Sequence, residues 1–167
     1  MELYLLRHGI AEERDAPGVQ SDAERRLTAE GRERCHEAAA GLDSLGVAFT
    51  QVWSSPLTRA QETAALVLPS QPAELRDELA GGSVAGLLTE LAKLPAESKV
   101  LLVGHEPQLS EVVEHLLGAG RHGYVVMKKA GLAALEVDLA RWPQEPAALR
   151  FLLTPGQLRA LGRAGAG

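Results

Sequence analysis

The sequence predicts an α/β fold, a three-layer sandwich with a mostly parallel central sheet and helices on both faces. Short apolar, β-prone runs at Glu2–Leu6, Val52–Trp53 and Val100–Val103 alternate with longer stretches of helical spacing, the pattern of a sheet covered on both sides. Each run stops at a cluster of polar residues capable of chemistry, and the carboxyl edge of an open α/β sheet is where ligands bind. With 167 residues, 46% hydrophobic and 23% charged, the chain is expected to form one domain over 1–167 with a proper core.

The first strand, Glu2-Leu3-Tyr4-Leu5-Leu6, places Arg7 and His8 at its carboxyl end, and Gly9, without a Cβ, permits a sharp turn or a close approach there. Thr28 is the expected N-cap of a helix to about Leu45, with Cys35, Ala38, Ala39, Leu42 and Leu45 on one face and Gly46 as its stop. After Val52-Trp53, Ser55 and Pro56 read as N-cap and first position of a helix through about Leu68, which puts Arg59 in its first turns and backbone N–H groups near the same edge. A third helix, Ser83 to Leu94, carries a core stripe of Val84, Leu87, Leu88, Leu91 and Leu94. A fourth starts at or after Pro107, buries Leu109, Val112, Val113, Leu116 and Leu117, and stops at Gly118. Tyr124–Met127, Leu132–Val137 and Leu149–Leu153 read as later strands, with turns at Lys129–Gly131 and Trp142–Pro146 and a frayed tail from Arg163 to Gly167.

Composition removes several classes of function. Seventeen Lys and Arg against 22 Asp and Glu give a net charge of −5, and the arginines are interspersed with acids, so a nucleic-acid partner is not expected. The single Cys35 rules out an intramolecular disulfide, suits a reducing compartment and reads as a small core residue. Neither a secretory leader nor an apolar span of bilayer length is seen, so the expected setting is the cytoplasm, away from the membrane.

Three motifs carry the chemistry: Arg7-His8-Gly9, Ser54-Ser55-Pro56-Leu57-Thr58-Arg59-Ala60-Gln61-Glu62-Thr63, and Gly104-His105. Each sets a basic side chain at or just past a strand end, and an imidazole beside guanidinium groups suits a nucleophile facing a phosphoryl group. In this order and spacing the motifs resemble the signature of the histidine phosphatase superfamily, over nearly the whole chain. Within it the chain is most similar to the small phosphohistidine phosphatases of the SixA type. Arg26-Leu27-Thr28-Ala29-Glu30-Gly31, with Arg26 where those proteins carry proline, and Leu153-Thr154-Pro155-Gly156-Gln157-Leu158 support that placement.

The resemblance implies a metal-independent, cofactor-free phosphatase in which His8 becomes a phosphohistidine, Arg7, Arg59 and His105 hold the phosphoryl oxygens, and water frees phosphate. Positive charge from Arg7 and Arg59 keeps His8 neutral for attack. Gly9 and Arg26 join the substrate-binding set; Arg25 can also reach toward the phosphate, although loop arginines, like Lys128 and Lys129, are more commonly solvated. Larger relatives place a general acid after the third strand, where Asp77 and Glu78 are the candidates here; a solvated charge pair is the alternative. A phosphohistidine substrate tolerates a missing acid because its P–N bond breaks readily.

His36, His115 and His122 read as surface side chains, and His105-Glu106-Pro107 is no zinc motif, since proline interrupts it and no second histidine follows at helical spacing. Glu106 is expected at the pocket mouth, and the loop Ile10–Arg26 frames substrate access. Three readings follow: a phosphatase of phosphohistidine in a protein partner, a phosphatase or mutase of a small phosphate ester, and a noncatalytic phosphate-binding module. The intact set Arg7, His8, Arg59 and His105 speaks against the third.

Overall fold

The computed structural model describes residues 1–118 and 123–165; the expectation for His122 lies outside them. Eleven elements follow in order: β1 (Glu2–Arg7), α1 (Ala29–Ser44), β2 (Gln51–Ser54), α2 (Thr58–Val67), β3 (Glu74–Leu75), α3 (Val84–Leu91), β4 (Lys99–Gly104), α4 (Gln108–Leu116), β5 (Leu132–Glu136), β6 (Ala148–Leu153) and α5 (Pro155–Ala164). Single 3-10 turns lie at Asp22–Glu24 and Asp77–Leu79.

The six strands form one sheet in the order β3-β2-β4-β1-β5-β6. The first four run parallel, while β5 and β6 pair antiparallel on the far side of β1. Successive side chains along a strand face opposite ways, and the apolar run of β1 serves both faces. Leu3 and Leu5 enter the core shared with α3 and α4, whereas Tyr4 and Leu6 enter the one shared with α1, α2 and α5. Strand β4 divides likewise, Val100 and Leu102 against Leu101 and Val103. Each such fully buried leucine contributes about 1.5–3 kcal/mol of transfer free energy, so the strands that end at the site are also the best-anchored ones.

Thr28 caps its helix as expected, and Ser83, read as the first residue of the third helix, is its cap; they accept from the N–H groups of Gly31 and Gly86. Three expectations are corrected. Ser55 does not cap α2: that helix starts at Thr58 after Leu57, which has no capping side chain; the Ser55 hydroxyl accepts from the Leu57 N–H (3.3 Å) one step outside the helix and lies 2.8 Å from His105 Nε2. Tyr124–Met127 is not a strand, because the N–H groups of residues 123, 124 and 125 are taken by the Glu114 carboxylate and that of Met127 by Glu106. The tail is not frayed from Arg163: the segment beginning at Pro155 is a helix reaching Ala164, opened by a capping box in which Thr154 and Gln157 satisfy each other's backbone N–H, and residues 166 and 167 lie outside those described. This helix lies tightly on α1: a Cβ on Gly41 would stand 2.1 Å from the Leu158 carbonyl oxygen, so glycine sets the interhelical distance.

Candidate active site

Strands β2, β4 and β1 lie side by side and end level, with Arg7 opposite Gly104 and Ser54 opposite Val103. Backbone hydrogen bonds continue one step past the strands, His8 N–H to Gly104 O (3.1 Å) and Ser55 N–H to Val103 O (2.9 Å). The topology thereby gathers His8, Ser55 and His105 from three distant motifs at one carboxyl edge.

His8 is buried, and its Nδ1 lies 2.7 Å from the carbonyl oxygen of Gly9. A carbonyl only accepts, so Nδ1 carries the proton and Nε2 keeps its lone pair. Burial pushes the imidazole pKa down to about 3; the Gly9 bond opposes this, and the charges of His105, Arg59 and Arg7 add to it. His8 is therefore a neutral base with a defined nucleophilic nitrogen at any ordinary pH. Gly9 is required by packing: a Cβ there would sit 2.7 Å from Cys35 Sγ and 3.2 Å from Gly31 O on α1. Its N–H donates to Thr63 Oγ1 (3.0 Å), and that hydroxyl donates to the Arg59 carbonyl (2.6 Å), which ties the His8 turn to α2.

The His105 ring stands 4.9 Å from that of His8, tilted by 53°. Its Nε2 is 2.8 Å from Ser55 Oγ, while its buried Nδ1 has no partner among the described residues. Burial first, then Arg59, lowers its pKa to about 4. Arg59, only 6% exposed on the first turn of α2, donates through Nη1 to the Asp22 carbonyl (2.6 Å) and through Nη2 to the Asp22 carboxylate (2.9 Å). Arg7 donates through Nη1 to Met127 O (2.7 Å), and burial lowers its pKa although the charge of Glu106 opposes the shift. The Nε atoms of both arginines are buried and unpaired among the described residues. Unsatisfied buried polar groups are costly, and two guanidinium Nε–H donors with one unpartnered ring nitrogen make this edge the candidate site for an anion.

Of the other candidates, Arg26 is exposed, with its backbone N–H held by the Glu12 carboxylate, and does not join this cluster. Its neighbour Arg25 does, donating 2.9 Å to Asp22. Asp77 is exposed and Glu78 half-buried on the 3-10 turn after β3. That turn packs on β4 and is clamped to α4 by buried Gln108, whose Nε2 donates to the carbonyls of Glu78 (2.5 Å) and Gly82 (2.7 Å). Glu106 accepts from Ser110 and from Met127 N–H and faces Arg7. His36 is exposed, and His115 packs on Trp142 with 4.7 Å between ring centroids. Among the described residues no group of three His, Cys, Asp or Glu side chains could hold a metal ion. A cavity of about 550 Å³ lies at the opposite sheet edge, lined by Leu42, Phe49, Val67 and Leu68, away from every residue named above.

Sequence reasoning does not find Asp22, which orients Arg59 from behind, nor the tie between Ser55 and His105. No motif marks Asp22; it is one acid in a loop rich in acids and arginines. Partial burial disfavours its ionisation, but hydrogen bonds from Arg25 and Arg59, and their charges, prevail and hold its carboxyl at about 2. These shifts predict acid lability. Unfolded histidines take protons below about 6.5 whereas His8 and His105 resist them down to about 3 and 4, so stability falls as pH drops through that window. Asp22 extends the loss from its ordinary 3.8 toward 2. Thermal denaturation followed from pH 7 to pH 3 is expected to show a steadily falling midpoint, with a shallower fall in His105→Asn; a flat profile contradicts the assignment.

The fold and the residues at its carboxyl edge define an α/β protein with a candidate anion site at that edge. Residues 3–81 match the sequence pattern of the histidine phosphatase superfamily, branch 1. An uncharacterized protein of Picosynechococcus sp. is 34% identical over 160 residues, covering 92% of this chain and 96% of that one. The structure of the protein histidine phosphatase SixA complexed with tungstate superposes with a TM-score of 0.81 at 26% identity, covering 95% of this chain and 99% of the other. The alpha-ribazole phosphatase of Shigella flexneri shares the fold at a TM-score of 0.75 and 24% identity, covering 93% and 97% of the two chains. The chain belongs to the histidine phosphatase superfamily, and its SixA-like fold supports phosphatase activity. No helix among the described residues is long and apolar enough to cross a membrane.

Proposed function

We propose that this protein is a phosphohistidine phosphatase that works through a phosphorylated intermediate on His8 Nε2, acting on a protein partner in cytoplasmic signalling. One observation carries the reading: a neutral histidine with its Nε2 lone pair free lies in the field of Arg7, Arg59 and His105, whose buried Nε and Nδ1 atoms have no partner among the described residues. The likeness to SixA supports it, since that protein is a histidine phosphatase solved with tungstate, a tetrahedral oxyanion of phosphate-like shape.

In the first step Nε2 attacks phosphorus and the bond to the leaving group breaks, with its electron pair departing on the leaving nitrogen or oxygen. Arg7, Arg59 and His105 hold the equatorial oxygens in a fixed arrangement that needs no reorganisation as charge develops. In the second step water attacks the phosphoryl group, the P–N bond to His8 breaks, and inorganic phosphate leaves. Neither step requires a metal or a cofactor.

The choice of phosphohistidine rests on the acid. Asp77 is exposed, Glu78 is held at its backbone carbonyl by Gln108, and no side-chain hydrogen bond ties either carboxylate to His8, Arg59 or His105 among the described residues, so neither is held in place as a dedicated acid. Phosphohistidine and activated aryl phosphates are therefore expected to turn over far faster than phosphoserine or sugar phosphates. Replacing Asp77 and Glu78 together by Asn and Gln is expected to change phosphohistidine turnover less than about tenfold, within the range left when general acid catalysis is not used. If an alkyl phosphate is the best substrate, or if the folded double variant loses orders of magnitude, the small phosphate ester reading replaces this one. Gln108, which holds the Glu78 turn against the His105 helix, is the feature that would then serve catalysis.

A further inference from the structure

A groove of about 510 Å³ shares Arg7 with the candidate site and is lined by Pro107, Ser110 and Glu111 from one side and Val125 and Val126 from the other. That volume is in the range of roughly 300–1,000 Å³ typical of ligand clefts. Its second wall is the strap 123–127, which has no strand partner yet is fixed at four N–H groups: Glu114 accepts from Gly123, Tyr124 and Val125, and Glu106 from Met127. Met127 returns its carbonyl to Arg7. With its backbone satisfied from within, the strap turns its apolar side chains outward, Tyr124 at 73% and Val126 at 62% exposure. Single exposed apolar residues are ordinary, but two on an immobilised segment beside a catalytic arginine form a preorganised shelf.

The groove also carries a negative group at its wall: Glu106 faces Arg7 and Glu114 is buried against the strap, whereas Glu111 is half-buried and forms no ion pair among the described residues. An occupant must therefore join an anion, held at Arg7 and Arg59, to an apolar portion and then to positive charge. Building on the phosphohistidine reading, we infer that this groove docks a polypeptide segment of the phosphorylated partner, with the imidazole ring of the substrate histidine between Pro107 and the exposed Val126 of the strap and a neighbouring lysine or arginine against Glu111. A small phosphate ester would meet neither the shelf nor the carboxylate.

The test compares turnover by the full-length protein of two histidine-phosphorylated peptides, alike except for lysine or glutamate beside the phosphohistidine, with phosphoramidate as a small reference. The lysine peptide is expected to show the higher kcat/KM by about three- to fivefold at low salt, the size of one exposed ion pair, and to lose the advantage in high salt. Glu111→Lys is expected to erase or reverse that preference. Val126→Ser with Tyr124→Ser is expected to raise KM for both peptides about tenfold, as lost apolar contact does, with kcat unchanged. None of these variants is expected to alter phosphoramidate turnover, which also reports that each is folded. Equal turnover of the two peptides, or an unchanged preference in Glu111→Lys, overturns the groove assignment while leaving the phosphohistidine reading in place. Hydrolysis of aryl phosphate with no turnover of either peptide or of phosphoramidate overturns the reading itself and the groove with it.

Discussion

His8→Ala abolishes turnover, with an expected loss on the order of 10⁴-fold or more, as befits removal of a nucleophile that acts as a unit with its surroundings. The imidazole is the group the local structure prepares: Nδ1 is committed to the Gly9 carbonyl, burial keeps the ring uncharged at a pKa of about 3, and Nε2 is left to attack. Brief exposure of the parent protein to labelled substrate, followed by alkaline quench, is expected to leave an acid-labile label on the chain that His8→Ala does not acquire. Because that pKa is far below the working range, the rate is not expected to fall through protonation of His8 between pH 5 and pH 8. Normal activity in a folded His8→Ala protein, or label carried by another residue, overturns the mechanism.

Arg59→Ala and His105→Ala are each expected to lower kcat by roughly 100-fold or more, the cost of removing one preorganised donor to developing charge. Arg59 reaches the site with its two Nη groups already bound to Asp22, so its Nε edge is presented without rotamer search. Asp22→Asn keeps the bond to the Asp22 main-chain carbonyl and is expected to cost less than Arg59→Ala. Chelators are expected to leave the rate unchanged. Steady-state kinetics on variants with parental far-ultraviolet dichroism make the measurement. Unchanged kinetics in a folded Arg59→Ala protein, or activity lost to EDTA and restored by a divalent ion, contradicts the assignment.

The early part of this chain is locally legible because its signals are short-range. Thr28 and Ser83 cap the helices they precede, and the period-2 division of β1 follows from consecutive residues. The segment 123–127 misleads for the same reason: its β-branched composition suits a strand, but two glutamates on and before α4 take its N–H groups first. Ser55-Pro56 has the composition of a helix start, yet the helix opens only at Thr58, and the Ser55 hydroxyl lies 2.8 Å from the His105 ring 50 positions away.

By itself the sequence determined the α/β class, the order of the principal elements and the Arg7, His8, Arg59 and His105 set from which the candidate site is built, because strand ends and residue types are properties of short segments. Only the tertiary structure decided which loop groups reach them. Arg25 and not Arg26 joins the cluster of Asp22 and Arg59, Asp22 lies behind Arg59, and the Glu78 turn is fastened to α4 by Gln108. Those pairings depend on how a long loop closes across the sheet edge, where several arginines and acids of equal local merit compete and burial geometry selects among them.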